Sequence, residues 1–290
     1  MACHRQVMLL PCLFAIYAAL PIVDGRGLVF CDVKRAINNS LVSQLTLTTL
    51  LPALVDSMNC TGLRIPIMPG LVGPAAYPAS FNYTLSWARS RGLALYASPM
   101  ENSWSSRAAG GGNAVKYSHW LAEFASVFTM DYLSPFNEVG SKCDGQCMAG
   151  VTTSLRSALP HPPLLVGPDA EHVATSLALV RASANAMADF DVISSHNAGG
   201  DNSNNDATWR NLVTAAGKRP VWSSENPTCF TIGACTTYGT MAASINGGVV
   251  GIVSWNTLGD DVRISDGNIT DKGRDIVVGL RRAAATGVTA

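Results

Sequence analysis

The stretch Tyr132-Leu-Ser-Pro-Phe-Asn-Glu138 is a short apolar run that closes on a carboxylic acid. Tyr132 and Leu133 have the character of a buried strand, Ser134-Pro135 ends it, and Asn137-Glu138 stand at its C-terminal end. Arg219-Pro-Val-Trp-Ser-Ser-Glu225 repeats the form, again a strand pattern that delivers a glutamate. Whether one fold can hold both glutamates on one face depends on what lies between and around them.

Working outward, strands and helices alternate along the whole chain. Strand patterns are read at Leu28–Val33, Gly62–Met68, Leu93–Pro99, Leu164–Asp169, Asp191–Asn197 and Gly251–Asn256, besides the two glutamate strands. Helical patterns are read at Leu45–Met58, Phe81–Arg91 (closed by Gly92), Lys116–Phe128, Gly150–Leu159, Glu171–Ala188, Asp206–Ala216, Tyr238–Asn246 and Asp271–Ala285. Strand-then-helix units imply parallel strands with right-handed crossovers. Eight of them fit an α/β fold of the (β/α)8 TIM-barrel type, a single domain over residues 26–290 with no accessory β-sandwich. An open doubly wound sheet shows the same alternation, but no Gly-x-Gly-x-x-Gly follows a strand, so dinucleotide binding has no support.

The 290-residue chain has zero formal net charge and only 14% charged residues, which argues against nucleic acid or an anionic membrane as partner. His4 and Arg5 precede an apolar run, Val7–Val23, broken by Pro11 and Pro21; residues 1–25 therefore read as a secretory signal, with cleavage near 20–26 and no membrane attachment of the mature form. Six cysteines remain beyond it, an even number that suggests disulfides in a secreted, extracellular protein. Proximity favours Cys143–Cys147 and Cys229–Cys235, which leaves Cys31–Cys60. Sequons at Asn38, Asn59, Asn82 and Asn268 agree with secretion. A monomer is expected.

In such a barrel the site lies at the C-terminal strand ends. There the sequence places Arg64, Glu101 to Trp104, Asn137, Glu138, Asp169, His196, Asn197, Glu225, Trp255 and Asn256. Two carboxyl groups facing each other suit glycoside hydrolysis. The pattern resembles clan A of the glycoside hydrolases, (β/α)8 barrels with Asn-Glu after strand four and a second glutamate after strand seven. Within the clan, Ser134-Pro-Phe-Asn-Glu138 and Tyr96-Ala-Ser-Pro99 are similar to family 30, including its endo-β-1,6-galactanase and glucanase types. Val139 departs from the Pro usual after Asn-Glu.

The resemblance implies a retaining β-glycoside hydrolase acting on a polysaccharide or oligosaccharide, with Glu138 as acid/base and Glu225 as nucleophile. It also implies that Asn137 contacts the sugar 2-hydroxyl. An acid needs a raised pKa, which Phe136 and the neighbouring Glu225 are expected to supply; a nucleophile needs donors and cations, for which Arg64 and Asn137 are expected. Arg64, Trp104, Asn137, His196 and Trp255 complete the expected substrate-binding set, the two tryptophans as stacking platforms. Trp87, Trp120 and Trp209 read as packing. No metal or organic cofactor is expected, because two carboxyls supply both proton transfer and covalent catalysis. An exo-acting glycosidase and a catalytically weak carbohydrate-binding barrel are the alternatives; a Ser-His-Asp hydrolase lacks its Gly-x-Ser-x-Gly elbow.

Overall fold

The computed structural model describes residues 28–278, apart from 39–42, 72, 101–102, 185–186, 198–203, 227–236 and 275. The expected signal segment, Glu101, and the Cys229–Cys235 pair lie outside the described residues. The strands are β1 (Leu28–Asp32), β2 (Gly62–Ile67), β3 (Ala94–Pro99), β4 (Tyr132–Leu133), β5 (Leu164–Ala170), β6 (Val192–His196), β7 (Val221–Asn226) and β8 (Gly251–Ser254). They form a closed barrel in sequence order. Closure is made by β1 on β8, parallel, with Leu28 opposite Gly251 and Cys31 opposite Ser254, which excludes the open sheet.

The crossovers are α1 (Lys34–Asn38) and α2 (Gln44–Met58), α3 (Ala79–Ser90), α4 (Ala114–Val127), α5 (Gly145–Ala158), α6 (Val173–Ala182), α7 (Asp206–Ala216) and α8 (Thr237–Asn246). Local chemistry sets where they start. Ser43, Asn113, Asp144 and Asn205 each accept a hydrogen bond from a backbone N–H of the first turn of α2, α4, α5 and α7. Three expectations change most in extent: α5 begins at Gly145 rather than Gly150, α6 ends at Ala182 rather than Ala188, and β4 has only two residues. Trp120 and Trp209 are buried in the layer between barrel and helices, and Trp87 packs against it, as expected.

Strand alternation decides what fills the barrel, because every second side chain faces inward. Leu28, Phe30, Tyr96, Tyr132, Val166, Val192, Trp222 and Val253 form the inner apolar cluster. Room for its large rings comes from glycine: a Cβ on Gly62 would stand 2.5 Å from Phe30, and one on Gly251 2.4 Å from Trp222. Continuing toward the strand C-termini, the same alternation turns polar, with Asp32, Arg64, Ser98, Ser194, His196 and Ser224 all buried. Apolar filling below and polar groups above give the barrel one chemically distinct end.

Two of the expected disulfides are present, Cys31–Cys60 and Cys143–Cys147, closing separations of 29 and 4 residues. Loop entropy makes the first the more stabilising, about 3–4 kcal/mol against about 2 kcal/mol. Removing both sulfurs of the first pair by Cys31→Ala/Cys60→Ala lowers Tm by roughly 10 °C in thermal denaturation. The corresponding change at Cys143 and Cys147 lowers it about half as much. Equal effects would count against the loop-length argument.

Candidate active site

Glu138 follows β4, Glu225 lies in β7 and His196 ends β6. One carboxylate oxygen of each glutamate and a ring nitrogen of His196 all lie within 4.8 Å of one another. The fold therefore brings the expected pair of glutamates to one mouth. Glu138 has φ 53°, in the left-handed region that non-glycine residues seldom occupy. Its N–H donates to the Asp169 carbonyl at 3.0 Å, and Asp169 has φ 52°. Asp169 is itself tied down: Tyr96 Oη donates to its Oδ2 at 2.8 Å, and the Ser194 and Ser224 hydroxyls donate to its Oδ1. The backbone that carries Glu138 is thus anchored to β3, β6 and β7.

His196 is fully buried and stands between the two glutamates, Nδ1 at 2.7 Å from Glu138 Oε1 and Nε2 at 3.7 Å from Glu225 Oε2. Burial opposes its positive charge, but Glu225 and the hydrogen-bonded Glu138 outweigh burial and raise its pKa. The Glu138 side chain keeps 32% exposure, so it is open to ligand and water from the mouth.

Glu225 is set up differently. Arg64, fully buried on β2, donates from Nη1 to Glu225 Oε2 at 2.6 Å and to Asp32 Oδ2 at 3.0 Å. Its Nη2 donates to Ser98 Oγ and Asn137 Oδ1, both at 3.0 Å. Burial alone would raise the Glu225 pKa; His196, Arg64 and Lys34 together overcome it and bring it down to about 2. Glu225 is an anion at any ordinary pH. The expected partnership with Arg64 is direct, while Asn137 joins through Arg64.

Three expectations look different in place. Phe136 is buried among the outer rings, 6.3 Å from Tyr117 and 6.4 Å from Phe190 between centroids. Trp104 is not brought to the carboxylates by any described contact; it is 7% exposed and packs edge-on to Tyr117 at 4.9 Å. Trp255 follows β8, at the correct end of the barrel, but the Arg35 guanidinium covers its ring at 4.6 Å. Asp32 and Lys34 were missed. Their signal was the same as for Arg64, a charged group on or just past a buried strand, here at the end of β1.

Three donor groups this close could also hold a cation. Here the donors are engaged otherwise: Arg64 occupies Glu225 Oε2, and His196 is biased toward its protonated form. With these contacts the cluster holds shared protons and a fixed guanidinium.

No protein-family model matches this sequence, and no curated protein is similar to it in sequence. Solved structures do share its fold. The catalytic domain of a mannanase from Streptomyces sp. SirexAA-E superposes with a TM-score of 0.64 at 14% identity, covering 96% of each chain. The mannotriose complex of Thermomonospora fusca β-mannanase gives 0.66 at 16% identity, covering 91% of this chain and 95% of that one. A structure from a study of two fungal β-1,4-galactanases gives 0.60 at 12%, covering 89% and 99%. At such identities the likeness carries the fold, and function has to be argued from the site. These neighbours are a mannanase, a β-mannanase and a β-1,4-galactanase, and the narrower resemblance to family 30 gains no support from them.

Proposed function

We propose that the protein is a secreted retaining β-glycoside hydrolase that cleaves a polysaccharide internally. The observation that carries this reading is the pair of glutamate oxygens within 4.8 Å at the polar end of the barrel. Retaining enzymes hold their carboxyls roughly 5–5.5 Å apart, whereas inverting ones leave about 6.5–9.5 Å for a water. In the first step Glu225, ionised, attacks the anomeric carbon. The leaving oxygen takes a proton from the Glu138–His196 pair, whose 2.7 Å contact lets the two share it. In the second step Glu138 takes a proton from water, and the hydroxide oxygen displaces Glu225 from the sugar. Arg64 keeps Glu225 ionised before attack and stabilises it as leaving group afterward.

The neighbours' names add mannan and β-1,4-galactan to the galactan and glucan that the sequence resemblance implies, and xylan completes the panel as a further β-glycan. Purified protein screened on a panel of these β-linked polysaccharides releases oligosaccharides from at least one. Failure on all of them, with the protein folded, would remove the proposal.

Secretion is part of the same reading. None of the described helices is long and apolar enough to cross a membrane. Of the sequons, Asn59 and Asn268 are exposed, whereas Asn82 is half-buried and donates through Nδ2 to the Pro74 carbonyl at 2.9 Å. Protein from a eukaryotic secretory host carries glycan on Asn59 and Asn268 and little on Asn82, as peptide mass spectrometry will show. Glycan on Asn82 alone would contradict this.

A further inference from the structure

Lys34 is a buried cation whose share in keeping Glu225 ionised does not account for its hydrogen bonds. It opens α1 two residues past Asp32, and its backbone N–H donates to Asp32 Oδ1 at 2.7 Å. Its Nζ donates to Ser98 Oγ at 3.1 Å, to the Pro99 carbonyl at 3.0 Å and to Asn137 Oδ1 at 3.1 Å. An ammonium has three protons and no lone pair, so these contacts use it fully. Arg64 Nη2 meets the same Asn137 oxygen at 3.0 Å. Neither cation can accept a hydrogen bond, so the end of the carboxamide between them must be the oxygen. Its two lone pairs are both occupied. Nδ2 is the end left over, and none of the hydrogen bonds among the described residues uses it.

We propose that Lys34 is a positioning residue which, with Arg64, locks the Asn137 carboxamide so that Nδ2 is a fixed donor to the sugar hydroxyl beside the bond being cleaved. The inference rests on the glycosidase reading of the site. A carboxamide free to turn can offer either end. The locked one offers only N–H, so a ligand oxygen must accept there and keep its own proton for another partner. Fixing that choice during folding spares the reaction the cost of reorienting a dipole. The groups around Lys34 are Asp32 on β1, Arg64 on β2, Ser98 and Pro99 on β3, Asn137 after β4, Asp169 on β5 and Glu225 on β7. Burial and Arg64 lower its pKa to about 8, against the opposing pull of Asp32, Glu225 and Asp169. The lock is closed below that pH and loosens above it.

The test compares wild type, Lys34→Met and Lys34→Arg on an activated glycoside of an accepted sugar and on its 2-deoxy counterpart. Lys34→Met lowers kcat about 10- to 100-fold on the hydroxylated substrate and moves KM by less than about three-fold. It has little effect on the 2-deoxy substrate, which has no oxygen for Asn137 to meet. Lys34→Arg, which keeps the charge, restores most of the rate. Wild-type kcat falls as pH rises through about 8, and Lys34→Met lacks that limb. Equal loss on both substrates, or no loss on either, would overturn the assignment. If wild type turned over no glycoside, the proposed function would fail instead, and the lock would be judged by NMR alone. The Asn137 side-chain amide, identified by its absence in Asn137→Ala, then shifts with a midpoint near pH 8 in wild type and not in Lys34→Met. A flat wild-type titration would overturn the lock.

Discussion

Glu225→Gln leaves the barrel folded and lowers turnover about 10⁴-fold or more, because an amide cannot attack an anomeric carbon and then leave it. The fold survives because the new carboxamide still offers Arg64 an oxygen, and Arg64 keeps its 3.0 Å ion pair with Asp32. The substitution also changes the acid stability profile. Folding depresses the Glu225 pKa from 4.5 to about 2, so its stabilisation is present above its ordinary value and is lost as pH falls toward about 2. Wild type therefore loses stability across that window more steeply than the variant in pH-dependent denaturation. Retention of wild-type activity by Glu225→Gln would end the nucleophile assignment.

Glu138→Ala has the second largest effect, about 10²- to 10⁴-fold on a substrate whose leaving group needs a proton. On an activated aryl glycoside the first step no longer depends on that proton, and breakdown of the glycosyl-enzyme becomes limiting. Azide, small enough for the space left by the side chain and needing no base, then restores turnover and yields a β-glycosyl azide. His196 bears on this outcome, since it loses its 2.7 Å partner and keeps only the more distant Glu225. If azide fails to accelerate the variant and the aryl and polysaccharide substrates suffer equally, Glu138 is not the acid/base.

The barrel was legible because apolar strand patterns alternate with amphipathic helices along the chain; the caps at Asn113 and Asp144, which set where α4 and α5 begin, went unread. Even β4, two residues long, was found, since Asn137-Glu138 marks its end. The long reading of α6 came from alanine-rich sequence, which continues the helical pattern past the point where the chain turns at Ser183. Of the site, Arg64, Asn137, Glu138, His196 and Glu225 were legible from one rule, polar groups on or just past buried strands, and the structure gathers all five. The rule had been applied from the second strand onward, so Asp32 and Lys34 escaped it. The aromatic residues were harder. Phe136, Trp104 and Trp255 stand near strand ends in sequence, but period alone does not say whether a ring faces the mouth or the helices, and Phe136 and Trp104 belong to the packing between barrel and helices. The ties from Asp169 to Tyr96, Ser194 and Ser224 join four strands, and no local pattern reports them.

The measurement that bears most directly on the two-carboxylate account is trapping of the intermediate. A 2-deoxy-2-fluoro glycoside of an accepted sugar, with a good leaving group, slows the second step more than the first and lets the ester accumulate. Peptide mass spectrometry of the inactivated protein should find one fluoroglycosyl group, on Glu225, with Glu138 unmodified. An enzyme that hydrolyses its substrate with inversion at the anomeric carbon and forms no such adduct, or one labelled on a different residue, would contradict the account.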